Sequence, residues 1–287
     1  MNKIIFCEGE QNSIDRLFIN KYIATNNNTI KPIGTKNDIS GFLKGYNSAV
    51  KTTNYILIRD RDFDFEPNET YKGLIQIPKK INVFATYRAS IESYFINATL
   101  LHKYFFWLRN TPKYQNKENI YIPTVNEIQT TIIAAAKKIQ YYQAVRWALA
   151  KLKSENKFFF ENKLVKEDGK IPKDLNWEYC ITQARNLIDN FQKKASKLNY
   201  EKFNFYLYLF AKKFSSDDFY TQEKYLIWFH GKDLKAIVRD ELLANYKDLY
   251  KLDFNIDIYM EHICTVFNEQ DFFSQFEDLN ELKNKIQ

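Results

Sequence analysis

Residues 54–64 read Asn-Tyr-Ile-Leu-Ile-Arg-Asp-Arg-Asp-Phe-Asp. The apolar run Tyr55, Ile56, Leu57, Ile58 stops abruptly at charge, and its β-branched and aromatic residues favour a strand. A run without polar alternation is the pattern of a strand covered on both faces, as in a parallel sheet. Two similar runs precede it. Residues 3–7 (KIIFC) end at Glu8 and Gly9, and a helix-start signal at Asn12 or Ser13 opens a segment with Ile14, Leu17, Phe18, Tyr22 and Ile23 on one face. Residues 29–33 end at Gly34, and a polar turn leads into Ile39, Phe42 and Leu43. Residues 73–77 and 82–84 predict two further short strands. Strands alternating with helical segments imply an α/β fold, a mainly parallel sheet flanked by helices. In such sheets ligands collect outside the carboxyl ends of the strands.

From about residue 88 the pattern turns helical. Periodic segments near 88–108, 124–153, 174–197, 201–213, 216–229, 233–248 and 256–285 are dense in Leu, Ile, Phe, Tyr and Lys. Strand content is not expected in this region outside 157–165, where Asp168 and Gly169 mark a turn. The domain boundary is placed near residue 98: an α/β domain over 1–98 and a mostly helical C-terminal domain over 99–287, with the helix beginning near Ala89 shared between them. No internal repeat is evident.

The chain has 287 residues, 17% of them aromatic, and only 7 glycines, about a third of the usual ~7% share. Five of these, Gly9, Gly34, Gly41, Gly45 and Gly73, lie in the first 73 residues, so the turn-rich part is the N-terminal quarter. A net charge of +7 permits a polyanionic partner without specifying one. Cys7, Cys180 and Cys264 are scattered and lack C-x-x-C spacing, which speaks against a disulfide framework or a structural zinc site. A reducing, cytoplasmic location is expected. The start MNKIIFCEGEQ does not resemble a signal peptide, no stretch approaches 18 uncharged apolar residues, and no membrane association is expected.

Two acidic positions stand out. Glu8 follows the first strand, at the carboxyl edge of the expected sheet; read alone, it is a solvated loop glutamate. Asp60, Asp62 and Asp64 follow the third strand and share one side if the backbone stays extended. Three like charges repel unless a cation lies between them, and hard divalent cations take oxygen ligands. A calcium-binding EF-hand loop is excluded, because Phe65 stands where its sixth-position glycine belongs and Tyr71 where its twelfth-position glutamate belongs. The choice left is Mg²⁺ or Mn²⁺ at a phosphate site, or a solubilising acidic turn. Glu92, beside Ile91, Tyr94 and Phe95, reads by itself as a solvent-facing or capping residue. The stretch 228–234, WFHGKDL, reads as a helix–helix turn with Asp233 in the first helical turn. Lys232 at that helix start opposes the helix dipole, which is easier to understand if it faces an anion. His102, His230 and His262 lack ligand spacing, and the aromatic runs read as helix core. No G-x-x-x-x-G-K-S/T motif occurs, so the chain carries no P-loop ATPase.

The sequence FCEGEQNSIDRLF, then PIGTKNDI, YILIRDRDFD and ASIESYF, resembles the TOPRIM domain of topoisomerases, bacterial primases, small ribonucleases and OLD-family nucleases. It is most similar to OLD-like proteins and related TOPRIM effectors of bacterial antiphage-defence loci. The resemblance covers about the first 98 residues and the later Gly-Lys-Asp step. It implies a metal-dependent nuclease in which Glu8, Asp60, Asp62 and Glu92 hold Mg²⁺ or Mn²⁺, with Asp64 an outer ligand or part of the loop, and Lys232 stabilises charge on the phosphate. It implies a nucleic-acid substrate, DNA or RNA including tRNA. It also implies a separate ATPase partner protein, a toxic effector role in defence and room for a homodimer. The alternative is a non-catalytic TOPRIM-like regulatory or nucleic-acid-binding subunit of an ATPase complex.

Overall fold

The computed structural model describes residues 3–25, 27–34, 39–50, 54–117, 119–156, 171–192 and 200–287. The candidate strand at 157–165 and the turn at Asp168 and Gly169 lie outside the described residues, as do residues 35–38 of the second motif and the end of the 174–197 segment.

The elements follow in the order β1 (Ile4–Cys7), α1 (Ile14–Phe18) running into a π-helical turn (Ile19–Ile23), β2 (Thr29–Pro32), α2 (Ile39–Val50), β3 (Tyr55–Arg59), β4 (Ile75–Gln76), β5 (Val83–Ala85), α3 (Glu92–Phe95), α4 (Ala98–Arg109), α5 (Val125–Asn156), α6 (Trp177–Gln192), α7 (Tyr200–Phe214), α8 (Asp217–Thr221), α9 (Tyr225–Trp228), α10 (Gly231–Asn245), α11 (Asp248–Lys251), α12 (Ile256–Thr265), α13 (Gln270–Phe273) and α14 (Glu277–Ile286). No helix among the described residues is long and apolar enough to cross a membrane. Contacts divide the chain into two compact units. The first comprises Met1–Asp62, Pro67–Phe95 and Phe254–Gln287; the second comprises Phe63–Glu66 and Ile96–Asp253. A boundary at residue 98 assigns everything beyond it to the helical part, whereas 254–287 returns to the sheet.

The first unit is an α/β sheet of order β2-β1-β3-β5-β4, parallel except for β4, which runs antiparallel to β5. β1 pairs with β2 on one side and β3 on the other, with Cys7 opposite Pro32 and Ile58. The chain leaves the carboxyl end of β1 towards β2 and that of β3 towards β5. These diverging exits form a topological switch point, the place where open parallel sheets form a ligand crevice. All five residues of β3 are buried, Tyr55 to Ile58 as their apolar run requires and the charged Arg59 with them. Ser13 caps α1 by accepting from the Arg16 N–H, and Phe18, Ile19, Tyr22 and Ile23 are buried. The C-terminal α12 packs on α1, and α14 on the π-helical turn.

Gly9 and Gly34 exchange two backbone hydrogen bonds, Gly9 N–H to Gly34 O at 2.8 Å and Gly34 N–H to Gly9 O at 3.1 Å, which join the loops leaving β1 and β2. Gly9 has a φ of +91°, and a Cβ there would stand 2.5 Å from the Ser13 side chain. Gly9→Ala therefore combines left-handed strain of about 1–2 kcal/mol with a collision against the α1 cap. Differential scanning calorimetry should show the melting temperature falling by about 4 °C or more.

The second unit is helical. The long α5 forms its centre, with α4, α6, α7 and α10 packed against it. Trp147 lies within ring-contact distance of Phe210 and Trp228, and its indole N–H donates to the Trp228 carbonyl at 3.0 Å. The helix read as continuous over 88–108 is broken into α3 and α4, because the side chain of Asn97 accepts from the N–H groups of Thr99 and Leu100 and starts α4 afresh.

Candidate functional site

Glu8 leaves the carboxyl end of β1, and Asp60 leaves that of the adjacent β3. Asp60 is 3% exposed, and its Oδ1 accepts the Ile91 N–H at 2.9 Å. The segment 86–91 is bound to the end of β3 along its length: Thr86 N–H donates to Arg59 O (3.1 Å), Asp62 N–H to Ala89 O (2.7 Å) and Arg61 Nε to Tyr87 O (3.0 Å). Glu92, the first residue of α3 and 5% exposed, follows directly from this segment. Hydrogen bonding to the end of β3 thus carries a glutamate some thirty residues later in sequence towards Asp60.

The same segment is held from behind by the C-terminus. Asp278 of α14 accepts the Tyr87 N–H at 2.8 Å and the Tyr94 hydroxyl, and Arg88 donates to Ser93 O while lying over the rings of Tyr94 and Phe276. Burial pushes the Asp278 carboxyl above its ordinary range, against the pull of the Tyr94 hydroxyl, the Tyr87 N–H and Arg88.

Asp60 is held well above the usual carboxylate range, first by burial and then by the neighbouring charges of Asp15, Glu92, Asp62 and Glu8. Five acidic side chains therefore share one electrostatic environment within the sheet unit, and they include Glu8, Asp60, Asp62 and Glu92. Asp15 is the one that motif reading did not single out. It lies in the first turn of α1, where an acid is ordinary because it complements the helix dipole; the available signal was its position just after the Glu-Gly of the β1 exit. Burial also pushes the Cys7 thiol up to about 12, with Asp15 adding to the rise, Arg16 opposing it and Glu8 adding again. Cys7 is therefore a packing residue and no thiolate nucleophile.

One expectation about the aspartate run needs correction. The backbone is not extended through it: Asp62 has a φ of +53°, a left-handed turn that aspartate tolerates. Arg61 between the two aspartates is fully buried, donating to the carbonyls of Tyr87 and Asp62. Asp64 lies beyond the turn, is exposed and belongs to the other unit.

Among the described residues, no three Asp, Glu, His or Cys side chains converge closely enough to form a ready-made cation site. The donor set itself is all carboxylate oxygen, the chemistry that Mg²⁺ and Mn²⁺ select.

Because Asp60 titrates above its unfolded value of about 3.9, its contribution favours the fold at low pH and is lost as pH rises through the folded pKa. Thermal melts of the metal-free protein between about pH 4 and about pH 8 should show this loss, and Asp60→Asn should flatten it.

In the helical unit, the Gly-Lys-Asp step starts α10 after His230. Asp233 is 3% exposed and forms an ion pair with Arg146, itself 4% exposed; Gln143 Nε2 donates to the same carboxylate at 2.9 Å. Gln143 Oε1 accepts the His230 N–H at 3.1 Å, and the His230 ring stacks on Phe63 with centroids 5.9 Å apart. Asp233 is thus a buried structural anion as well as a first-turn acid. Lys232 is exposed at the second position of the helix. No protein-family model matches the chain, and no curated protein matches it significantly.

Proposed function

We propose that the sheet unit is a TOPRIM-like catalytic domain and that the protein is a metal-dependent nuclease hydrolysing nucleic-acid phosphodiesters. The observation that carries this reading is the buried Asp60, raised above its ordinary pKa by burial and by Asp15, Glu92, Asp62 and Glu8 at the carboxyl edge of a parallel sheet. A buried carboxylate set against four others destabilises the fold unless it serves a ligand, and perturbed acids at a switch point mark functional sites. Glu8, Asp60, Asp62 and Glu92, with Asp15 beside them, would hold Mg²⁺ or Mn²⁺. A cation held there supplies Lewis-acid polarisation of the phosphoryl group and a water of lowered pKa. A carboxylate holds a cation in its deprotonated form, and Asp60 is held above the usual carboxylate range, so binding would weaken with falling pH. The Ile91 N–H and the left-handed turn at Asp62 orient the acids. Lys232 as a neutraliser of phosphate charge rests on the resemblance alone, as do the partner ATPase, the defence role and the effector toxicity.

A second reading, a non-catalytic regulatory or nucleic-acid-binding subunit, is favoured by the lack of a converged ligand set among the described residues. Incubating the purified chain with Mg²⁺ or Mn²⁺ and either plasmid DNA or total RNA separates the two. Cleavage of either substrate that is lost on chelation and in Glu8→Ala supports the nuclease and identifies its substrate class. Absence of cleavage of both supports the binding subunit.

A further inference from the structure

The sheet unit has a concave feature at the opposite edge of the sheet from the carboxylates. It is a cavity of about 280 Å³ lined by Lys3, Asn54, Tyr55, Ile56, Asn82, Phe84 and Lys285. Lys3, Asn54 and Asn82 are the residues immediately before β1, β3 and β5, so the cavity lies at the amino ends of three neighbouring strands, with α14 supplying Lys285. We propose that this cavity is a phosphate-recognition site, taking the terminal phosphate of a nucleotide or of an oligonucleotide.

Among the described residues, the lining contains two lysines and two asparagines and no acid. Both ammonium groups are already positioned. The Lys3 Nζ donates to the Lys285 carbonyl in the last turn of α14, and the Lys285 Nζ lies 5.0 Å from the centroid of the Phe84 ring. A cation at a helix C-terminus is a favourable capping arrangement, which accounts for Lys3. The same helix end accommodates Lys285, which lies in that last turn and over the Phe84 ring, so the fold itself brings the two lysines into one concavity. Each ammonium carries three donors, and Lys3 gives one of them to the carbonyl. Two like charges in one cavity repel, and an anion of charge near −2 balances both; a phosphate monoester has that charge near neutral pH, whereas a carboxylate has one. The turn entering β5 adds Lys79 and Lys80 close in sequence to Asn82, and α14 adds Lys283. The cavity is larger than a phosphate group alone and near the lower limit of small-molecule pockets, leaving room for a sugar beside Phe84.

The four residues of β1 separate Lys3 from Glu8, roughly 17 Å at about 3.3 Å per residue, so the site is distinct from the carboxylate cluster. The inference does not rest on the nuclease reading. The unit carries opposite charge at its two sheet edges, Glu8, Asp60 and Glu92 at one and Lys3 and Lys285 at the other.

Calorimetric titration of the full chain with a chelator present tests the proposal, using three probes: AMP, a short oligonucleotide bearing a terminal phosphate, and the same oligonucleotide with a terminal hydroxyl. At least one phosphate-terminated probe should bind, about tenfold or more weakly in Lys285→Gln and in Lys3→Gln, with affinity kept in Lys285→Arg and in Glu8→Gln. Binding of AMP identifies a free nucleotide as ligand, and binding of the phosphorylated oligonucleotide without AMP identifies a nucleic-acid end; either supports the site. Binding by neither, equal binding of the hydroxyl-terminated oligonucleotide, or unchanged affinity in both glutamine variants would overturn it. Thermal melts of the glutamine variants establish that they remain folded.

Discussion

Asp60→Asn is expected to raise the melting temperature of the metal-free protein and to abolish its metal-dependent cleavage of nucleic acid. Both effects follow from one residue's surroundings. The asparagine side chain keeps the shape and the oxygen that accepts the Ile91 N–H at 2.9 Å, so the hydrogen bond joining the end of β3 to the segment before Glu92 survives. The substitution removes a buried ionisable group on which burial, Asp15, Glu92, Asp62 and Glu8 all act unfavourably. Relief of about 1–2 kcal/mol would raise the melting temperature by roughly 2–8 °C for a unit of this size. Loss of a charged oxygen at the centre of the acid cluster should lower the cleavage rate by at least about 100-fold. A stabilising substitution that destroys activity is the mark of a site held at a cost to the fold. If Asp60→Asn instead lowers the melting temperature and leaves cleavage intact, Asp60 is a structural residue.

The second large effect separates two residues of the helical unit. Arg146→Ala should destabilise the protein by about 3–5 kcal/mol, because it leaves the buried Asp233 carboxylate with the Gln143 amide and His230 Nδ1 at 3.9 Å but without its guanidinium counter-charge. Arg146 also lies over the Phe63 ring, 4.3 Å from its centroid, so truncation removes packing as well as charge. Lys232→Ala, one residue from Asp233 but exposed, should change stability by less than about 0.5 kcal/mol. If Lys232 neutralises a phosphate oxygen, the same variant lowers the cleavage rate while the melting temperature holds. Chemical denaturation and cleavage assays on both variants show whether the Gly-Lys-Asp step serves the fold, the reaction, or both through different residues.

What was legible in the sequence followed from burial pattern. The apolar runs 55–58 and 4–7 became β3 and β1, since a strand covered on both faces has no polar positions to spare, whereas β2, at the sheet edge, formed from a half-exposed segment. The Glu-Gly exit became a positive-φ turn at Gly9. Other features depend on partners far away in the chain. The return of α12 and α14 to the sheet unit is invisible in their amphipathic pattern, which records that a face is buried but not against what. Asp15 has the look of an ordinary first-turn acid, and only the fold brings its charge to act on Asp60. The extended reading of the aspartate run failed at Asp62, because aspartate tolerates the left-handed region and its spacing does not reveal when it is used. Arg146 and Asp233 stand 87 residues apart, and nothing local to either announces the pair.

The central claim is that the acids at the carboxyl edge of the sheet form a divalent-cation site. Electron paramagnetic resonance of free Mn²⁺ during titration with the purified chain addresses it without reference to substrate or partner. The wild-type chain should deplete the free Mn²⁺ signal near neutral pH, less so as pH falls, and Glu8→Gln and Asp60→Asn should each weaken binding by about tenfold or more. A wild-type chain that leaves the Mn²⁺ signal untouched, or variants that bind as tightly as it does, would contradict the account.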